Sequence, residues 1–254
     1  MVRIIKSAGE WQRFRKSQYD REEMIGFVPT MGALHAGHES LIKKSVEQND
    51  LTVVSIFINP TQFNDPNDLF LYPKTYDDDL ALLEKSGADF LFYPGYDEIY
   101  EDGYSYRVTE NNFSRQLCGG FRPGHFDGVL TVILKLLNII SPRRAYFGEK
   151  DYQQIILIGQ MCKAFFIDVD IIPCPTVRES DGLAISSRNR FLTGEERKRA
   201  SDFPKILTSS SDPAAACKEL ESLGFKIDYI TDLDGRRFGA VHIGNVRLID
   251  NVQI

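Results

Sequence analysis

Short apolar runs alternate with helix-spaced apolar positions along most of the chain, and this alternation predicts a parallel sheet. Ile25 to Val28 is an apolar run that stops at Pro29 and a glycine-containing turn; from about Gly37 a helical spacing follows with Leu41, Ile42 and Val46. Leu51 to Ile58, LTVVSIFI, is β-branched and almost continuously apolar, the pattern of a strand covered on both faces. Helices are expected near Tyr76 to Ser86, Gly128 to Ile140 and Asp151 to Phe165, with strands near Asp89 to Tyr93, Arg144 to Phe147 and Val169 to Pro173. Repeated strand, helix, strand units imply an α/β fold, a doubly wound parallel sheet with ligands at the carboxyl ends of its strands. After Pro175 a polar loop, RESDGLAISSRN, leads into Thr193-Gly-Glu-Glu196, a capping box that opens a helix expected to run to about Leu207. One short helix and strands at Lys226 to Ile230 and Ala240 to Ile243 complete the reading. Residues 1–175 are expected to form the main domain and 176–254 a small α+β domain.

Composition narrows the class. With 43% hydrophobic and 26% charged residues among 254, the chain sits near the average for globular proteins. A net charge of -6 argues against broad nucleic-acid binding and favours a small-molecule partner. Cys118, Cys162, Cys174 and Cys217 form no C-x-x-C pair, so they read as reduced thiols rather than a zinc ribbon or a redox site. The longest apolar stretch, Val129 to Ile140, is too short to span a membrane and contains Lys135, and Met1 to Arg15 has no apolar leader core. A cytoplasmic enzyme without a membrane partner is the expectation.

Candidate chemistry collects where strands hand over to helices. The first strand ends in Pro29-Thr-Met-Gly-Ala-Leu-His35-Ala-Gly-His38. Unpaired N–H groups and the dipole make a helix start an anion site, Gly37 removes a Cβ where phosphate must come close, and two imidazoles add hydrogen bonds. Neither G-x-G-x-x-G nor G-x-x-x-x-G-K-[ST] occurs in this stretch. The alternative reading is a satisfied pair of loop histidines; a metal site lacks a third ligand. A second cluster, Phe147-Gly-Glu-Lys150-Asp-Tyr-Gln-Gln154, places Lys150 as a mobile cation near phosphate and Gln154 to bond a hydroxy acid. A third, Ile185-Ser-Ser-Arg188-Asn189, offers hydroxyls and a guanidinium to a triphosphate, or is a hydrophilic loop. Asn59-Pro-Thr-Gln62 brings a neutral amide to the same crevice, and Asp77 to Asp79 reads either as magnesium ligands or as an acidic helix start.

Taken together, VPTMGALHAGHESL, SIFINPTQF, YPKT with its acidic run, RPGHFDGV, FGEKDYQQ and DGLAISSRN resemble the pantothenate synthetase family over about residues 25 to 200. The resemblance implies a Rossmann-like fold of the HxGH nucleotidyltransferase type, a homodimer, ATP and magnesium, and ligation of pantoate to β-alanine through pantoyl-adenylate. By position, Met31, Gly32, Ala33, Leu34, His35, Ala36, Gly37 and His38 would form the ATP loop, with His38 the catalytic acid and His35 beside it on the phosphates. Gly148, Glu149, Lys150, Asp151, Val177, Ile185, Ser186, Ser187 and Arg188 would complete the ATP site, Lys150 and Arg188 offsetting phosphate charge. Gln62 and Gln154 would hold pantoate, and Asp78 and Asp79 would hold magnesium. Ile185 stands where the family usually has methionine or leucine, and the region after Leu207 is expected to be shortened relative to the family. Two other readings predict different outcomes: a nucleotidylyltransferase would retain the nucleotidyl group on its product, and a silent nucleotide-binding regulator would bind ATP without turnover.

Overall fold

The computed structural model describes residues 1–18 and 23–254. Chain contacts divide them into two units: Met1–Gly148 with Gln153–Cys174, and Glu149–Tyr152 with Pro175–Ile254. The first unit is built on six parallel strands: β1 (Arg3–Ile5), β2 (Ile25–Thr30), β3 (Leu51–Ile56), β4 (Phe90–Phe92), β5 (Arg144–Gly148) and β6 (Asp170–Cys174). Their order across the sheet is β1-β4-β3-β2-β5-β6, so the direction of winding reverses between β2 and β5. In an open α/β sheet that reversal splays the following loops apart and leaves a crevice at the carboxyl ends of the two strands. The turns after β2 and β5 are those that carry the first two motif clusters.

Local chemistry explains the central strands. β2 and β3 pair over six residues from Ile25↔Leu51 to Thr30↔Ile56, and Phe27, Val28, Val53 and Val54 are fully buried. The Ala36–Gln48 helix crosses β2 so closely that a Cβ at Gly26 would run into Ser45 and Asn49. Ser45, fully buried, shares a 2.8 Å hydrogen bond with the Thr52 hydroxyl, so each satisfies the other. Val46, expected on the apolar face, is instead 38% exposed, because Ser45 takes the position against the sheet. The Ala8–Gln18 helix buries Trp11 edge-on to Phe90 at 5.4 Å between ring centroids, and the indole N–H donates to the Ile140 carbonyl at 3.3 Å. Burying such a ring stabilises the unit by roughly 2–3 kcal/mol.

The second unit carries an antiparallel meander of β7 (Lys226–Leu233), β8 (Arg236–Ile243) and β9 (Val246–Gln253). Leu183, Phe203, Leu207, Leu220, Phe225 and Val241 lie in its core. The capping box forms as expected, Thr193 accepting from the Glu196 N–H and Glu196 from the Thr193 N–H. The single helix expected to Leu207 is two, Gly194–Ala200 and Asp202–Ser209. Pro204 has no N–H to continue the first helix and sits in the opening turn of the second. Arg237, 2% exposed, pairs with Asp232 and caps the Leu207 and Ser210 carbonyls, which removes the cost of burying its charge alone. Cys118, Cys162 and Cys174 are buried free thiols, and burial pushes the Cys162 thiol up to about 11. Among the described residues no helix is long and apolar enough to cross a membrane.

Candidate active site

β2 ends at Thr30, whose hydroxyl donates to the Ser55 carbonyl on β3 at 2.8 Å and accepts the Gly32 N–H at 3.1 Å. The chain then turns through the left-handed region at Gly32 (φ +82) and Ala33 (φ +51), which only the glycine adopts without strain. His35 follows as the N-cap of the Ala36–Gln48 helix: its Nδ1 accepts the Gly37 N–H at 3.1 Å and its carbonyl accepts from Glu39 at 3.0 Å. Since Nδ1 is an acceptor, the neutral ring carries its proton on Nε2. A Cβ at Gly37 would stand 2.9 Å from His35 Cε1, so the imidazole packed over it leaves no room for a side chain there. The His35 and His38 rings lie 4.1 Å apart, tilted by 33°.

This turn is not an open row of N–H donors. Those of Gly32, Gly37 and Glu39 bond within the turn, and those of Ala33 and Leu34 bond to the Asp79 carboxylate at 3.0 and 2.7 Å. Asp79 lies in the first turn of the Tyr76–Ser86 helix and is 3% exposed, whereas Asp77 and Asp78 are exposed. Among the described residues no three His, Cys, Asp or Glu side chains gather as a metal cage.

Gln62 closes the short Pro60–Gln62 turn after β3. Its Nε2 donates to the Met31 sulfur at 3.2 Å, while its Oε1 accepts from Asn59 Nδ2 at 3.0 Å. Asn59 is 1% exposed; its Oδ1 accepts from the Thr61 and Tyr100 hydroxyls at 2.9 and 2.8 Å. That network fixes which face of the Gln62 amide is the donor. Burial raises the Tyr100 phenol above its ordinary value, so it remains a donor across the physiological range. The RPGHFDGV segment braces the same turn from behind. His125 Nδ1 donates to the Gln62 carbonyl at 2.8 Å, and a Cβ at Gly128 would stand 2.4 Å from the Thr61 carbonyl oxygen. That tautomer leaves His125 Nε2 as an acceptor for Arg122 Nη1 at 3.2 Å. Neither His125 nor Arg122 was assigned a role by the sequence, although both sit in one of its motifs.

The two glutamines of FGEKDYQQ divide their tasks. Gln153, 5% exposed, accepts the Cys118 N–H and donates to the Phe113 and Gln116 carbonyls, tying down the 113–118 segment. Gln154 is half-buried one residue later, at 100° around the helix, where the sequence expected a substrate contact.

In the second unit, the Glu149–Asp151 turn following Gly148 is held by β9. Asn251, 4% exposed, donates from Nδ2 to the Glu149 and Lys150 carbonyls at 2.8 and 3.0 Å. Arg236 bonds Asn251 Oδ1 and lies 4.0 Å above the Tyr152 ring. The Lys150 ammonium is 3.1 Å from the Asp151 carboxylate, with which it forms an ion pair. One residue before Asn251, Asp250 binds Arg178 through both oxygens at 2.6 and 2.9 Å and accepts the Asn251 N–H at 2.8 Å. Arg178 adjoins Val177, whose carbonyl accepts the Ile185 N–H at 3.0 Å. Ser186 then caps the Ser187–Phe191 turn, accepting the Arg188 N–H at 3.3 Å. The structure therefore brings Val177 and Ile185 together and connects their segment through β9 to the Lys150 turn.

Residues 3–253 match the family described as Pantoate-beta-alanine ligase. The chain is 54% identical to the pantothenate synthetase of Bdellovibrio bacteriovorus over 254 residues, covering 100% of both chains. It is 52% identical to that of Legionella pneumophila (strain Lens), covering 98% of this chain and 99% of the relative. Among solved structures, the pantoate-beta-alanine ligase of Francisella tularensis, complexed with beta-gamma ATP and β-alanine, is similar with a TM-score of 0.95 and 45% identity, covering 100% of this chain and 98% of that one. The Bdellovibrio and Francisella proteins are spanned over 100% and 98% of their own lengths. The similarity runs through both units, and the chain belongs to the pantoate-beta-alanine ligase family.

Proposed function

We propose that this chain is an ATP-dependent ligase that condenses pantoate with β-alanine, releasing AMP and pyrophosphate, and that it works as a cytoplasmic homodimer. The observation that carries the reading is the histidine-capped turn at the carboxyl end of β2, beside the reversal point of the sheet, in a chain of this family. The Francisella relative, complexed with beta-gamma ATP and β-alanine, supports the substrate assignment.

In the first step the pantoate carboxylate attacks the α-phosphorus of ATP and pyrophosphate leaves, giving pantoyl-adenylate. Charge grows on phosphate oxygens, so the step gains from donors fixed in place beforehand. His35 offers its Nε2–H, and His38 acts as the acid that meets the departing charge. The oriented Gln62 amide, with Gln154, holds the hydroxy acid, and Met31 belongs to the ATP loop. Lys150, Ser186, Ser187 and Arg188 offset the negative charge of the phosphates. In the second step the β-alanine amine attacks the acyl carbon, AMP leaves, and the amine gives up a proton.

Magnesium, which the family resemblance implies, does not fit the acids expected to bind it. Asp79 has spent both oxygens on N–H and O–H donors, and Asp78 is exposed. Labelled pyrophosphate should exchange into ATP when pantoate is present and β-alanine is absent. A folded, ATP-binding sample with no such exchange overturns the adenylate route. A product that keeps the nucleotidyl group, in place of free AMP, would make the chain a transferase.

A further inference from the structure

The Asp79 carboxylate sits in the first turn of the Tyr76–Ser86 helix, 46 residues after the loop it serves, and is 3% exposed. Its Oδ2 accepts the Ala33 N–H at 3.0 Å; its Oδ1 accepts the Leu34 N–H at 2.7 Å and the Thr75 hydroxyl at 3.1 Å. The peptide groups it holds follow directly on the left-handed Gly32 and Ala33 positions, and a Cβ at Gly32 would stand 3.0 Å from Oδ2. An alanine in that backbone region is strained, so the turn persists only where surrounding bonds hold it. A buried carboxylate on two consecutive N–H groups is a strong form of such a bond. The same bonds make it a poor metal ligand, because its lone pairs already face three donors.

We propose that Asp79 is a positioning residue for ATP: it fixes the Gly32–Leu34 backbone so that His35 arrives at the helix N-cap and His38 beside it, and it does not ligate magnesium. The inference rests on the reading of this turn as the ATP loop. Asparagine at this position would keep one acceptor and turn an NH₂ toward the other N–H. A turn loosened in that way loses ATP affinity and the placement of both imidazoles, while the Gln62 network, built from Asn59, Thr61 and Tyr100, is untouched.

The test is pantoate-dependent pyrophosphate exchange by wild type, Asp79→Asn and Thr75→Val, titrating ATP, pantoate and magnesium separately. In Asp79→Asn the ATP KM should rise about tenfold or more and kcat should fall, with the pantoate KM within about twofold of wild type. Thr75→Val, which removes one donor and leaves both backbone bonds, should shift ATP KM in the same direction by about two- to fivefold. The magnesium concentration for half-maximal rate should stay unchanged in both. Unchanged ATP KM in the variants overturns the proposal, as does a large rise in the magnesium requirement with the rate restored by excess magnesium. If Asp79→Asn does not fold by circular dichroism, ATP KM of Thr75→Val decides. Failure of the wild type to exchange would strike the ligase reading instead and is seen in the same experiment.

Discussion

Two strand-to-helix turns, Thr30–His38 after β2 and Gly148–Tyr152 after β5, begin at adjacent strands but are supported in different ways. The first is held by a hydroxyl at its root, a carboxylate on its middle and an imidazole capping its helix. The second is held through its carbonyls by Asn251 of β9, 101 and 102 residues away in sequence. Support of the first turn falls on N–H donors, and support of the second on the Glu149 and Lys150 carbonyls. The second therefore depends on the folding of a distant meander for its geometry.

The sharpest way to separate them begins with His38→Ala, expected to lower the adenylation rate by about 10² to 10⁴-fold with pantoate affinity little changed. Stopped-flow or exchange kinetics would measure it, and an unaltered rate would remove His38 from the chemistry. Next, Arg178→Ala leaves the Asp250 carboxylate, 1% exposed, without its cation and should cost about 3 kcal/mol, read as a lower denaturation midpoint of the second unit. Asn251→Ala withdraws the donor from two carbonyls and should cost about 1–3 kcal/mol, expressed in part as a lower kcat through Lys150. If kcat is unchanged while stability drops, the second turn needs no support from β9 for its function. The smallest effect belongs to Glu39, whose carboxyl is held below the usual range by hydrogen bonds from Lys43 and Lys85. Because the folded state has the lower pKa, this contribution is fully present above about pH 4.5 and is lost as pH falls through the folded value. Glu39→Gln should therefore lower the melting temperature slightly at pH 7 and by progressively less as pH falls below about 4.5, with the adenylation rate unchanged.

What could be read from the sequence follows from range. β2 and β3 announced themselves as apolar runs, and the HxGH turn by its place between strand and helix. β1 did not, since three residues, Arg3 to Ile5, carry too little pattern; nor did the Pro66–Leu71 helix, whose Asp65 cap reads as an ordinary turn signal. β9 was missed because Asp250 and Asn251 break its apolar alternation, and they are buried only because Arg178, Glu149 and Lys150 meet them in the fold. Of the candidate site, the residues at strand ends were legible. Their supports, Asp79, Asn251 and His125, were not, because a bond between residues tens of positions apart leaves no local periodicity. An acidic run such as Asp77 to Asp79 looks the same whether it faces a cation, a helix start or a backbone.

The chain has a single tryptophan, and Trp11 lies in the first unit, 1% exposed with its N–H bonded to Ile140. Excitation selective for indole therefore watches one unit alone and is blind to the loss of the meander. An emission shift on heating would report the parallel sheet opening, whereas dichroism of the whole backbone reports both units. Any gap between the two melting curves gives a direct optical measure of how independently the halves of this enzyme come apart.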